Sequence, residues 1–149
     1  MTRFDDSCIF CRIIRGEIPG DKVYEDADII AFLDARPLFP GHVLVSPKDH
    51  IVTLSDLPAP QVGRLFEQVQ IIAKAVESAL EAEGTFVAIN NRVSQTVPHL
   101  HVHVVPRTKG DGLRGFFWPR QKYASEEEAE QYAARLRDAL AGLTPAAPA

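Results

Sequence analysis

The sequence predicts an α+β fold: an antiparallel sheet of about five strands, one long helix and a C-terminal helix. Short apolar runs punctuated by acids, Pro and Gly come first as a group of three and later as a group of two. A long stretch of helical periodicity separates the two groups, and a second one closes the chain. The regular strand–helix alternation of a parallel sheet is missing, which leaves an antiparallel architecture.

In chain order, Lys22–Tyr24, Ile29–Leu33 and His42–Ser46 are largely β-branched, aromatic or apolar, and acids, Pro37, Pro40 and Gly41 interrupt them. That pattern predicts three strands of a meander. Val62, Leu65, Phe66, Val69, Ile72, Ala73, Val76 and Leu80 recur at helical spacing, with Pro60 near the start and Gly84 just past the end. They predict the long helix, one face on the sheet. Thr85–Asn90 and Leu100–Val105 predict two more strands around the polar turn Asn91–Thr96. Beyond the loop Thr108–Lys122, Ser125 followed three residues on by Glu128 is a capping-box pattern. Ala129, Tyr132, Ala133, Leu136 and Leu140 are the expected buried stripe of the last helix, and the Pro- and Ala-rich tail Thr144–Ala149 is expected to fray.

A chain of 149 residues suits a single domain over 1–149 that builds its core without disulfides. Hydrophobic residues at 46% and charged residues at 24% exclude a wholly disordered chain. The formal net charge of −4 gives no field for nucleic-acid backbones, so nucleic acid is not an expected partner. No apolar run approaches the ~20 residues needed to span a bilayer, and the start Met1–Asp6 is polar; no membrane association and a cytoplasmic location are expected.

The most informative segment is Pro98-His99-Leu100-His101-Val102-His103-Val104-Val105, which holds three of the five histidines at alternate positions. In a strand the three imidazoles share one face, while Leu100, Val102 and Val104 enter the core. A merely solvated face would more often carry Thr, Lys or Glu, because several ring nitrogens here need partners. A single catalytic zinc on all three is disfavoured, since successive same-face positions lie about 7 Å apart along a regular strand. The histidines therefore divide their work.

This segment resembles the signature of the histidine-triad (HIT) family of nucleotide hydrolases and transferases, His-φ-His-φ-His-φ-φ with φ apolar. Ile9-Phe10-Cys11-Arg12-Ile13-Ile14-Arg15-Gly16-Glu17-Ile18-Pro19 resembles the family's opening. Ala31-Phe32-Leu33-Asp34-Ala35-Arg36-Pro37 is similar to its nucleoside-binding strand and turn, and Pro40-Gly41-His42-Val43-Leu44-Val45-Ser46-Pro47-Lys48-Asp49-His50 is similarly characteristic. The resemblance implies the HIT fold, with His101 as the nucleophile that attacks an α-phosphate and forms a transient phospho-histidine. It implies that His103 holds the phosphate oxygens and that Asp34 accepts hydrogen bonds from the ribose hydroxyls. Asn90, Gln95 and Thr96 fall where the family contacts phosphate and leaving group. Many members carry a glycine-rich loop there, whereas Asn90-Asn91-Arg92-Val93-Ser94-Gln95 has no glycine. For Asp34 and Asn90 the alternatives are a turn acid and a strand-end amide. The resemblance also implies nucleotide substrates, purine in preference, and a homodimer.

Phe10, Ile30 and Phe32 either form an apolar slot for the base or belong to the core. Cys8 and Cys11 have the C-x2-C spacing of half a tetrahedral zinc site, for which His50 and His99 are candidate partners. A subset of the HIT family and the related galactose-1-phosphate uridylyltransferases resemble this Cys2His2 arrangement, which implies a structural zinc. A redox pair or two packed thiols are the alternatives. His42 reads as a structural histidine in the Pro-Gly-His turn. Arg107, Lys109, Arg114, Arg120 and Lys122, against Asp111 and interleaved with Phe116, Phe117 and Trp118, either grip a second phosphate or nucleoside or form a packed basic loop. Two other functions stay open: a nucleotide-binding sensor or scaffold with little turnover, and a zinc-dependent hydrolase.

Overall fold

The computed structural model describes residues 3–113 and 120–143, and the chain divides into two compact units, Met1–Asp111 and Gly112–Ala149. The first contains α1 (Ile9–Ile14), β1 (Lys22–Glu25), β2 (Ile29–Leu33), β3 (Val43–Pro47), a 3-10 turn (Leu54–Asp56), α2 (Ala59–Leu80), β4 (Gly84–Ala88) and β5 (Val102–Arg107). The five strands form one sheet in the order β1-β2-β3-β5-β4, antiparallel at every junction. The α+β architecture with one long helix agrees with the sequence.

Each face of the sheet is covered by a different helix. Leu65, Val69, Ile72 and Val76 of α2 pack with Ile29, Ala31, Val43, Val45, Leu100, Val102 and Val104 in the larger core. The alternate residues Ile30, Phe32 and Leu44 meet Phe10, Cys11 and Ile13 of α1 on the opposite face. Burial on both faces explains why β2 and β3 read as nearly continuous apolar runs. Leu65 is fully buried at the centre, and truncating such a side chain to Ala costs about 2–5 kcal/mol.

Three local features depart from the sequence reading. The opening segment contains the short helix α1, which begins immediately after Cys8. The long helix ends on Glu81, whose φ of 53° is left-handed, and Gly84 opens β4 instead of closing the helix. The regular ladder of the last strand starts only at Val102, because the Leu100 N–H donates to the Ile51 carbonyl at 2.6 Å.

In the second unit, α3 spans Glu126–Ala141, and the Ser125 hydroxyl accepts a hydrogen bond from the Glu128 N–H at 3.1 Å. The reciprocal half of the cap goes one residue earlier, from the Ala124 N–H to the Glu128 carboxylate at 2.6 Å. The expected buried stripe is not found: no residue of α3 is buried, and Tyr132, Leu136 and Leu140 are all exposed. The helix sits in a separate compact unit, which offers no sheet of its own, among the described residues, to cover that face. Arg114, Phe116, Phe117, Trp118 and the tail Thr144–Ala149 lie outside the described residues. Among the described residues, no helix is long and apolar enough to cross a membrane.

Candidate active site and metal centre

The α1 face of the sheet carries the chemistry. Cys8 caps α1 and Cys11 lies in its first turn, a three-residue spacing that turns both sulfurs to one side of the helix. His50 follows β3, and His99 precedes β5. Nδ1 of His99 lies 3.5 Å from the Cys8 sulfur and 3.6 Å from that of Cys11, and Nδ1 of His50 lies 3.4 Å from Cys11. All four donor atoms fall within 4.8 Å of one another. Zinc bonds of ordinary length set a sulfur-to-nitrogen edge of about 3.5 Å in a tetrahedron, so the cluster has the right size for that ion.

The surrounding groups suit a cation as well. The His99 Nε2–H donates to the Pro47 carbonyl at 2.8 Å, which leaves the Nδ1 lone pair aimed at the sulfurs. Asp5 lies 3.8 Å from Nε2 of His50, the nitrogen turned away from the cluster, and the Asp5 N–H points at the Cys11 sulfur from 3.4 Å. Burial pushes the Cys11 thiol up to about 11 and His99 down to about 4. A neutral imidazole is ready to ligate, and a thiolate at Cys11 calls for a positive ion in place of its proton.

The second cluster is built from the strand register. β3 pairs with β5 so that Leu44 stands opposite His103, which brings the start of β3 beside the histidines. The direction of each hydrogen bond there follows from fixed donors and acceptors. The Leu38 N–H can only donate, and it lies 3.1 Å from Nδ1 of His42. Nε2 of His42 therefore carries the proton and donates to Nδ1 of His103 at 2.9 Å. His103 in turn holds its proton on Nε2, a buried atom without a hydrogen-bond partner among the described residues. Such an orphaned donor is costly unless a ligand meets it.

His101 is set the other way. Its Nδ1 lies 2.6 Å from the His99 carbonyl, an obligate acceptor, so Nδ1 carries the proton and Nε2 keeps a lone pair. Desolvation lowers His42, His101 and His103, the last to about 4, and all three are neutral near pH 7. One face thus presents a nucleophilic nitrogen and an unpaired N–H on adjacent rings whose centroids are 4.9 Å apart.

The remaining sequence candidates are placed as follows. Asp34 accepts from the Arg36 N–H at 2.8 Å through Oδ1, while Oδ2 lies 3.8 Å from Nε2 of His42. Phe10, Ile30 and Phe32 are buried in the smaller core, and Phe10 stands edge-on to His101 at 5.0 Å between ring centroids. Gln95 braces its loop, accepting from the Arg92 N–H at 2.9 Å and donating to the Val52 carbonyl at 2.6 Å. Arg92 and Ser94 take left-handed φ values of 67° and 60°, the conformation that glycines would supply without strain. Asn90 and Thr96 are exposed at the two ends of this loop. Arg107 is held by Asp111 at 2.5 and 3.0 Å. His42 has a wider role than the turn position suggested, as the donor that sets the tautomer of His103. Its signal in the sequence is the even offset from Leu44, readable only once the strand register is known.

Comparison with known proteins gives relatives in sequence and in structure. An adenylylsulfatase of Arabidopsis thaliana is 34% identical over 95% of this chain and 74% of its own length. An adenosine 5'-monophosphoramidase of Schizosaccharomyces pombe is 36% identical over 81% of this chain and 90% of its own. Among solved structures, a zinc-bound histidine triad family protein of Mycobacterium smegmatis superimposes with a TM-score of 0.69 at 40% identity, covering 89% of this chain and 97% of that one. The pattern of the HIT domain matches residues 15–110, and the chain belongs to the HIT domain family.

Proposed function

We propose that this chain is a nucleotide hydrolase or nucleotidyltransferase that cleaves the bond between an α-phosphate and its leaving group through a nucleotidyl-His101 intermediate. The observation that carries the reading is the opposed tautomers of the two adjacent histidines. Nε2 of His101 attacks phosphorus, an N–P bond forms, and the bond to the leaving group breaks. Water, or an acceptor hydroxyl in the transferase case, then attacks the same phosphorus and breaks the N–P bond, so one difficult displacement becomes two easier ones. The unpaired N–H of His103 donates to a phosphoryl oxygen as charge builds there.

Asp34 accepts hydrogen bonds from the vicinal ribose hydroxyls, a role for which a carboxylate has the acceptor capacity. Thr96 and Asn90, both exposed side chains, serve the leaving group and phosphate, with purine nucleotides the preferred substrates and a homodimer the working assembly. Relatives that act on adenylyl sulfate and on an adenosine phosphoramidate support an adenylyl group with a variable leaving group. Cys8, Cys11, His50 and His99 hold one zinc, which supplies a cross-link among three chain segments and leaves His101 and His103 free. The test is neutral-quench mass spectrometry of the protein mixed with excess adenosine phosphoramidate. A mass gain of one adenylyl group, lost on hydrolysis and absent in His101→Asn, is expected; wild-type protein turning over with no adduct would reject the intermediate.

A further inference from the structure

Outside the cysteine site, one other group of side chains among the described residues brings metal-ligating atoms together: Asp34, His42 and His103, whose donor atoms also lie within 4.8 Å of one another. We infer that these three residues form a second, reversible site for a borderline divalent metal ion such as Co2+ or Zn2+, distinct from the cysteine site and mutually exclusive with nucleotide.

To take such an ion, His42 and His103 must turn from a hydrogen bond in which their nitrogens face each other, with ring centroids 5.1 Å apart, toward a shared centre that the Asp34 carboxylate also reaches. His42 Nε2 and His103 Nδ1 are 2.9 Å apart, and His42 Nε2 and Asp34 Oδ2 are 3.8 Å apart. With bonds near 2.1 Å, a metal sets ligand–ligand edges of about 2.9 Å in an octahedron and about 3.4 Å in a tetrahedron. Two neutral imidazoles and one carboxylate select borderline first-row ions and leave coordination positions open to water, whereas magnesium and calcium favour all-oxygen sites. His42 is buried, but Asp34 is partly exposed and gives the ion a way in.

The proton balance is specific. His103 already offers its Nδ1 lone pair. His42 must move its proton from Nε2 to Nδ1, with no net proton gained or lost, and can then no longer accept from the Leu38 N–H. The new Nδ1–H of His42 would then face the Leu38 N–H, donor against donor, so the turn that carries the exposed Leu38 must shift until both N–H groups find other acceptors. Occupancy therefore breaks both links of the chain from Leu38 through His42 to His103 and takes up the Asp34 carboxylate.

Exclusion of nucleotide rests on the proposed roles of Asp34 and His103, so metal binding and nucleotide competition are measured separately. Protein with its cysteine site filled by one zinc per chain is titrated with Co2+ alone, followed by calorimetry, visible absorption and the Leu38 amide resonance. The expected result is one further equivalent, without the sulfur-to-cobalt charge-transfer band of a thiolate site, that shifts the Leu38 amide. Affinity should fall about tenfold or more in Asp34→Asn and in His42→Gln, and Asp34→Asn serves alone if the buried His42 variant does not fold. No second equivalent up to about millimolar Co2+, or binding indifferent to Asp34→Asn, would overturn the site. Adding AMP should weaken Co2+ binding about tenfold, with the reciprocal effect on AMP. Cobalt bound at these residues but indifferent to AMP would uphold the metal site and reject the nucleotide roles of Asp34 and His103.

Discussion

Nε2 of His42 lies 2.9 Å from Nδ1 of His103, and through this bond a backbone N–H at Leu38 dictates which nitrogen of His103 carries the proton. Replacing His42 with Phe keeps a ring of similar shape and removes the donor. His103 is then free to adopt the other tautomer and turn a lone pair toward the phosphate. The loss expected in kcat/KM is about 10- to 100-fold, the equivalent of about 1–3 kcal/mol for one oriented hydrogen bond in a buried site. Steady-state rates beside a melting curve check this; unchanged kcat/KM in a folded variant would show that His103 needs no orienting partner.

Asp34→Ala should raise the Michaelis constant for ribonucleotides much more than for their 2′-deoxy analogues, because the ribose contact is what disappears. Oδ1 of Asp34 also accepts from the Arg36 N–H, so the variant disturbs the turn as well. The comparison between sugars separates the two effects. An equal rise for both would leave Asp34 with the turn alone.

Protein purified without added zinc should contain one zinc per chain. Cys8→Ser or Cys11→Ser should lose it and melt lower by more than about 5 °C, since the ion joins three segments that no disulfide connects. Metal analysis and thermal melts are the measurements. Metal-free wild-type protein, with both variants melting unchanged, would make the cysteines packing residues.

His103 supplies a test by pH. Burial holds its pKa at about 4, below the ordinary histidine value near 6.5, so the unfolded chain takes up a proton that the folded chain refuses. Its contribution is fully present above about pH 6.5 and is lost as pH falls toward 4. His103→Asn should therefore lose less melting temperature than the wild type between these two pH values, with the zinc contribution common to both. Parallel melting profiles would place His103 in a solvated environment.

Much of the fold was legible because its signals are local. The periodicity of Leu65, Val69, Ile72 and Val76 and the alternation of Leu100, Val102 and Val104 with the histidines each report a face that one element buries. The C-x2-C pair was legible as half of a candidate metal set for the same reason, spacing along the chain, whereas His50 and His99 as its partners came from the family resemblance. The stop at Glu81 was not, since a left-handed Glu leaves no mark in the sequence where Gly84 does. The apolar stripe of α3 gave a false reading, because periodicity records a helix face and does not say whether anything covers it. The link from His42 to His103 depends on strand register, which brings together residues 61 positions apart.

The most direct test of the account is single-turnover cleavage of adenosine phosphoramidate by His101→Asn, measured beside calorimetric binding of AMP. The variant should bind AMP about as the wild type does, while cleavage falls by several orders of magnitude, as expected when an essential nucleophile is removed. Cleavage within about tenfold of the wild-type rate, in a variant that still binds AMP, would contradict a covalent step at His101.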